Sequence, residues 1–340
     1  MSIAPLKVAF LNVGHGDSIV IILPQKENEA KRAIIIDSPN CIVTKHFLDK
    51  NDIKILELVI ISHSHLDHSK GIVPLVEKFI EEGKEIKRLV YKPDTINYGS
   101  EQSKYKKLMR SLVTISDDNG IYPINPIIEE LEKIIYNDVQ TNFKISILYP
   151  NITDLADAIG RNNCNDTSTV IEVEYNGFKV LLPGDLESKG WYRLYKKLKP
   201  TIADVGWQVL KLPHHGDYYF LSEEMLCTEQ ILDFVKPKIG IISSAQNDNY
   251  QHPDINTVNK LKEKSINIYC TQVTDICHCK RDEVKSNIMS ILEARDFSEN
   301  SECCPCSGDI IVAISDKIEI EPSNKCMTSI KKLFEYPKCI

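Results

Sequence analysis

The stretch Leu58-Val59-Ile60-Ile61-Ser62-His63-Ser64-His65-Leu66-Asp67-His68 decides how this chain reads, because an unbroken apolar run gives way at once to three imidazoles and a carboxylate. The run from Leu56 to Ser62 predicts a buried strand, covered on both faces. In an extended segment His63 and His65 project to one side and reach one cation, and the turn that follows lets Asp67 and His68 address a second. Several neutral imidazoles crowded together have no packing rationale in a core, so a His-rich polar turn explains the pattern less well than a metal centre.

A second cation needs ligands from elsewhere, and other strand ends supply candidates. Leu182-Pro183-Gly184-Asp185 places Asp185 just after a hairpin strand, where a carboxylate can bridge two ions. Leu212-Pro213-His214-His215-Gly216 follows another short apolar run, and Ile239 to Ser243 leads towards His252-Pro253. Taken singly, Gly-Asp is a turn signal and the His pair is ambiguous; their common position after strands is what recommends them. His214 is taken as the ligand, leaving Asp67, His215 and His252 as catalytic candidates.

The rest of the chain is that of an ordinary folded protein. Of 340 residues, 42% are hydrophobic and 26% charged, which excludes disordered, collagenous and coiled-coil classes. No apolar run approaches the roughly 18 residues of a membrane span. Met1 to Leu11 alternates like a strand rather than a secretory leader, so a cytoplasmic location is expected. A net charge of -7 argues against coating long nucleic acid by bulk electrostatics, although a local cationic site remains compatible with it. Of the 11 cysteines, Cys270, Cys277, Cys279, Cys303, Cys304 and Cys306 crowd into one stretch. Cys41, Cys164, Cys227, Cys326 and Cys339 are scattered and are assigned packing roles.

Period and turn signals predict an antiparallel opening meander (Lys7 to Val13, Ser18 to Leu23, Ala33 to Asp37) and helices over Thr44 to Lys50 and Gly71 to Glu82. A short strand is expected at Ile86 to Tyr91, then helices over Ser103 to Ser116 and Pro126 to Tyr136. Strands resume at Phe143 to Leu148, Ser168 to Tyr175 and Lys179 to Pro183, the last two joined at Asn176-Gly177. A helix over Ser188 to Leu198 precedes a strand at Gln208 to Leu212. Without repeats or low-complexity linkers, the chain reads as one α/β unit with additions. Residues 1–271 form the main domain, completed by a strand at 308–321. A Cys-rich insertion occupies 272–307, with a helix over Asp282 to Phe297, and a tail over 322–340 carries a short helix around Ile330, Leu333 and Phe334.

Together these motifs resemble the metallo-β-lactamase superfamily, and more narrowly the hydrolase domain of the competence protein ComEC and its free-standing bacterial relatives. The matching residues are Phe10 to Ser18, the His63 to His68 run, Leu181 to Asp185, Lys211 to Gly216 and Tyr250-Gln251-His252-Pro253, in family order. The resemblance implies an αββα sandwich with metals at one edge. It also marks departures. Asn12 and His15 stand where the family usually has Asp and Gln, so His15 is a candidate site residue. Many members carry a further histidine before the Gly-Asp hairpin, whereas Asn162 to Thr169 has none, leaving Asp166 or an asparagine in reserve.

Function follows as an expectation. Two divalent cations, Zn or Mn, set against Asp67, Asp185 and a bridging hydroxide leave about one positive charge, which favours an anionic electrophile such as a phosphodiester. Attack by metal-bound hydroxide, with His252 or the spare histidine of the pair protonating the leaving oxygen, is the expected mechanism. Ser244, Asn247, Asp248 and Tyr250 are groove candidates. DNA or another nucleotide polymer is the expected partner. A hydrolase of a small phosphoester or lactone is the alternative enzyme, and a metal-stabilised interaction module, contacting a protein partner through the Cys-rich segment or tail, is the non-enzymatic one. Cys277, His278, Cys279, Cys303, Cys304 and Cys306 offer soft ligands for an additional structural zinc, although their spacing matches no standard finger. The basic runs Lys104, Lys106, Lys107, Arg110 and Arg193, Lys196, Lys197, Lys199 could track a backbone, but such runs are more often solvated helix faces.

Overall fold

A computed structural model describes residues 4–25, 29–91, 100–128, 132–159, 163–199, 206–245, 250–274, 276–277, 306–322 and 331–332. Its first sheet begins with β1 (Leu6–Phe10), β2 (Ile19–Ile22) and β3 (Lys31–Ile36), an antiparallel meander that turns parallel where β3 meets β4 (Ile53–Ile60). Helix α1 (Cys41–Lys50) makes that crossover, capped by Asn40, whose side chain accepts from the amides of Ile42 and Val43. Beyond β4 come α2 (Leu66–Ser69), α3 (Ile72–Glu81), β5 (Glu85–Ile86), β6 (Arg88–Val90), α4 (Ser100–Asn119) and β7 (Tyr122–Ile124). Pro123 sits in that last strand, which lies at the sheet's edge, where a missing amide donor costs no ladder bond.

The second sheet holds β8 (Lys133–Asp138), β9 (Phe143–Tyr149), β10 (Val170–Tyr175), β11 (Phe178–Leu182), β12 (Val209–Lys211), β13 (Ile239–Ile242) and β14 (Asn267–Cys270). Between them run α5 (Ile152–Ile159), α6 (Ser188–Leu198), α7 (Thr228–Val235) and α8 (Ile255–Glu263). The strands β15 (Ile310–Ile314) and β16 (Ile318–Glu321) return to the first sheet, where β15 pairs antiparallel with β1. The architecture is an αββα sandwich, as expected from the sequence, built from two mixed sheets with flanking helices.

Strand periodicity explains the sandwich. Leu6, Val8, Phe10, Ile34, Ile36, Leu58 and Ile60 join the core shared with the second sheet, while Ala9, Leu11, Ala33, Ile35, Leu56, Val59 and Ile61 meet α1, α3 and α4 on the other face. Both faces being covered, these strands must be apolar throughout. The run β11, β12, β13 and β14 is parallel, as is β3 with β4, so the chain segments leaving those strands gather at shared edges of the two sheets.

One sequence expectation changes, and three helices are additional to those expected. The helix predicted over Pro126 to Tyr136 does not form among its described residues: Ile128 bridges to Asn151, and β8 follows, with Tyr136 opposite Ile145 and Asp138 opposite Phe143. The β-branched and aromatic run Ile134-Ile135-Tyr136 suits a strand, and pairing with β9 overrides its weak helical pattern. Helices α5, α7 and α8 carried no expectation at all. The helices expected over 282–297 and near Leu333 and Phe334 lie outside the described residues. Among the described residues no helix is long and apolar enough to cross a membrane.

Candidate metal centre

The loop after β4 is fixed before it reaches the site. Asp37, ending β3, accepts from the amide of Ser62 at 2.8 Å and from its hydroxyl at 2.6 Å. Gly16 presses on the same loop from above: at φ +104°, a Cβ there would fall 1.8 Å from the carbonyl oxygen of Asp67. The His63–His68 segment is thus clamped between the first loop and the end of β3.

Each buried imidazole is oriented through Nδ1 so that Nε2 points inward. Nδ1 of His63 lies 3.0 Å from the Ser62 hydroxyl, Nδ1 of His68 donates to Asp37 at 2.8 Å, and Nδ1 of His215 donates to the carbonyl of Ser243 at 3.2 Å. Nε2 of His63, His68 and His215 and Oδ1 of Asp185 are buried with no hydrogen bond. Leaving such atoms unsatisfied costs roughly 1–3 kcal/mol each, so the arrangement suits a guest that satisfies them together.

Distances fit cations. Oδ2 of Asp185 lies 3.8 Å from Nε2 of His63, 3.2 Å from that of His68 and 3.6 Å from that of His215. Oδ2 of Asp67 lies 3.9 Å from Nε2 of His68 and 3.8 Å from that of His215. Bonds of about 2.0–2.1 Å in a tetrahedron require ligand atoms about 3.3 Å apart. Two groups result, His63 with His65 and Asp185, and Asp67 with His68, Asp185 and His215. Asp185 is common to both. A third group, Asp17 with Asp37 and His68, is better explained by pairing, since Asp17 forms a buried ion pair with Lys211 and Asp37 orients His68.

The electrostatics call for positive charge. Burial opposes protonation of His68, yet the Asp185 and Asp37 carboxylates raise it well above the ordinary imidazole value. Burial likewise opposes charge on His215, but chiefly Asp185 pushes it up to about 9. Burial also opposes ionisation of Asp185 and Asp67; His68 and His215 hold the first, and His15 and His215 the second, below the usual carboxylate range. Burial alone dominates at His63, which is held well below the usual imidazole value, with His68 reinforcing the effect. The surrounding carboxylates thus favour positive charge at His68 and His215, which divalent cations would supply.

The sequence expectations sort as follows. His63, His65, Asp67, His68 and Asp185 come together. The His pair resolves in favour of His215, 3% exposed, while His214, 25% exposed, turns towards Glu187 and Asp217 at 3.7 and 3.8 Å. Both histidines have positive φ, 45° and 55°, and Gly216 follows at 86° against Pro253, so a backbone kink rather than side-chain chemistry decides which ring enters. The candidate ligand group thus contains His215 and not His214, the histidine assigned as ligand from the sequence. His15 donates Nε2 to Asp67 at 3.0 Å, and its ring stacks on Tyr250, which stacks in turn on His252. His252 lies 5.4 Å from His214 and 6.2 Å from His215, ring to ring.

Other candidates take structural parts or fall outside. The Asn12 amide and side chain tie the first loop to Asp309 and Gln272. Ser244 is buried in hydrogen bonds to Gln272 and Thr271. Asn247 and Asp248 lie outside the described residues, as do His278, Cys279, Cys303 and Cys304; Cys306 is buried and Cys277 half-buried. On α6, Arg193 and Lys197 pair with Asp154, and Lys196 and Lys199 lie over Tyr192 and Tyr195, so much of that basic face is committed within the chain. Sequence reasoning missed Asp17, Asp37 and Lys211. With these included, the about one positive charge expected for a two-cation site falls to about zero.

The sandwich and its strand-end His/Asp group, able to hold metal, are like the metallo-β-lactamase fold that the sequence motifs resemble. The chain is similar to ComE operon protein 3 of Bacillus subtilis (strain 168), 24% identical over 284 residues that cover 78% of this chain and 32% of that protein. The chain therefore spans about a third of the length of the curated relative it matches. Among solved structures, the metallo-β-lactamase fold protein YhfI from Bacillus subtilis is 11% identical with a TM-score of 0.43, over 78% of this chain and 95% of that one. Zn(2+)-bound PqqB from Methylobacterium extorquens is 11% identical with a TM-score of 0.44, over 74% and 84%. No protein-family model matches the chain.

Proposed function

We propose that this chain is a metal-dependent hydrolase with a dinuclear centre, and that its substrate is a phosphodiester, most simply a nucleic acid or nucleotide polymer. The observation that carries the reading is the pair of ligand groups sharing Asp185, lined by buried Nε2 atoms that have no hydrogen bond. His63, His65 and Asp185 would hold one divalent ion, and Asp67, His68, Asp185 and His215 the other. Bound there, the ions would supply Lewis acidity and an activated water.

The remaining roles belong to the chain. Asp37 and the Ser243 carbonyl lock the tautomers of His68 and His215, and His15 orients Asp67. Lys211, fully buried, neutralises Asp17 and lies 3.8 Å from Oδ1 of Asp185, biasing that carboxylate's other oxygen towards the histidines. His252 and His214 stand beside the centre, their rings 5.4 Å apart, and imidazole is the side chain suited to delivering a proton to a leaving oxygen. Tyr250, 72% exposed and stacked on His15 and His252, offers a flat surface to a nucleobase. With the net charge of the centre near zero, the polymer reading rests on this stacking surface and on resemblance to the competence-protein hydrolase domain, rather than on charge.

Cleavage of single-stranded DNA with added manganese or zinc, by wild type and by Asp185→Ala and His65→Ala, tests it. Wild type is expected to cut and both variants to lose activity. Two equivalents of bound metal with no cleavage of nucleic acid or an aryl phosphodiester would overturn the proposal. Turnover of the aryl phosphodiester alone would move the substrate to a small phosphoester.

A further inference from the structure

The group His63, His65 and Asp185 offers three ligand atoms, and the segment before the Gly184-Asp185 turn has no histidine to complete it. Sγ of Cys164 lies 3.0 Å from Nε2 of His65, and the residue is 8% exposed. We propose that Cys164, as its thiolate, is a ligand of the cation held by His63, His65 and Asp185. The assignment rests on the metal-centre reading above and deepens it, because it bears on which metal that position selects.

The sulfur is held there by a built turn. Asn163 and Asn165, on either side of it, donate to the two carboxylate oxygens of Glu187 at 2.8 and 2.9 Å, which ties the turn to a residue two beyond Asp185. The amide and hydroxyl of Thr167 donate to the Cys164 carbonyl at 3.2 and 3.1 Å, and the Tyr149 hydroxyl donates to the Asp166 carbonyl at 2.7 Å. Independently of the cysteine, Nε2 of His63 and Oδ1 of Asp185 in the same group are buried with no hydrogen bond. Asp166, the reserve expectation for this position, has its backbone carbonyl engaged by Tyr149. Like Cys164, it lies outside the group as the ligand atoms now stand, and of the two only Cys164 touches one of the group's ligand atoms.

Zinc bonds of about 2.05 Å to nitrogen and about 2.3 Å to sulfur set an N···S edge of about 3.5 Å in a tetrahedron. The 3.0 Å contact is a thiol–imidazole pair close to that edge, and ligation requires the sulfur to turn from His65 towards His63 and Asp185. Binding converts the thiol to thiolate and releases its proton to solvent, with no change of oxidation state. A thiolate favours zinc, cobalt or iron over manganese and magnesium, so this position would prefer softer ions than the carboxylate-richer one beside it.

The full chain loaded with cobalt(II), a spectroscopic stand-in for zinc, gives the test. Wild type is expected to show sulfur-to-cobalt charge-transfer absorption of which an equal share is lost in Cys164→Ala and in His63→Ala. Cys164→Ser should lose the same share with an unchanged circular-dichroism spectrum, which separates ligation from folding. Thiols of the C-terminal segment contribute only absorption that none of these substitutions removes. Zinc affinity at this position should fall about tenfold or more in Cys164→Ala and recover in Cys164→His. Equal charge-transfer intensity in wild type and Cys164→Ala, with two equivalents of cobalt still bound, overturns the thiolate assignment and leaves the metal centre standing. Equal cobalt stoichiometry in wild type and His63→Ala overturns the metal-centre reading and this assignment with it.

Discussion

Asp37→Asn is a change of one atom whose effect the geometry forces into one of two forms. Oδ1 of Asp37 accepts the Ser62 amide, and Oδ2 accepts both the Ser62 hydroxyl and Nδ1 of His68. A carboxylate serves three donors; an amide has one acceptor oxygen. If that oxygen stays on the Ser62 amide, the new NH2 faces His68 and forces Nδ1 to accept, which moves the ring proton to Nε2, where the cation should bind. Metal affinity at the Asp67, His68, Asp185 and His215 group should then fall about 10- to 100-fold, or about 1.4–2.7 kcal/mol. If the amide flips, the tautomer survives but the buried Ser62 N–H loses its acceptor, at a cost of about 1–3 kcal/mol in stability. Backbone strain does not confuse the result, since Asp37 sits at φ 59°, which Asn tolerates as well. Zinc titration against a competing chelator reads the first effect, and urea unfolding of metal-free protein reads the second. An Asp37→Asn protein within twofold of wild type in zinc affinity and within about 0.5 kcal/mol in stability would refute the claim that Asp37 sets the orientation of His68.

His214→Ala should keep both equivalents of metal while His215→Ala keeps one, as counted by elemental analysis of chelator-free protein; the reverse pattern would restore the assignment drawn from sequence. Lys211→Met should destabilise the protein by about 3–5 kcal/mol in urea unfolding, because it strands the buried carboxylate of Asp17, and adding Asp17→Asn should recover part of that loss. Chelation should lower the melting temperature measured by calorimetry, since zinc at about 1,000 times its dissociation constant adds about 4 kcal/mol to the folded state.

What the sequence disclosed and what it hid follow from how local each signal is. The metal run is local: an apolar strand followed by clustered imidazoles can be recognised without knowing any long-range contact. The two-sided burial of the first sheet is local too, since alternate residues of β1, β3 and β4 must all be apolar when each face has a partner. The choice between His214 and His215 is not, because it depends on two successive left-handed residues and on how Gly216 meets Pro253, some 37 residues away. β8 was hidden for a related reason: Ile134 and Ile135 become strand only once β9 supplies the partner.

The supporting residues occupy a middle ground, and their signal was present but unread. Asp37 ends the apolar run Ile34-Ile35-Ile36, Lys211 interrupts the run Val209-Leu210-Lys211-Leu212, and Asp17 closes a loop between two buried strands. A charge inside or at the end of a strand buried on both faces costs several kcal/mol unless another charge meets it, so each one announces an unseen partner. Lys211 meets Asp17 and Asp37 meets His68. Applied to Cys164, the same reasoning is weaker, because a buried thiol packs well among apolar groups and announces nothing by itself. Its meaning depends on the 3.0 Å approach to His65, which brings together residues 99 positions apart and which no reading of spacing along the chain could supply.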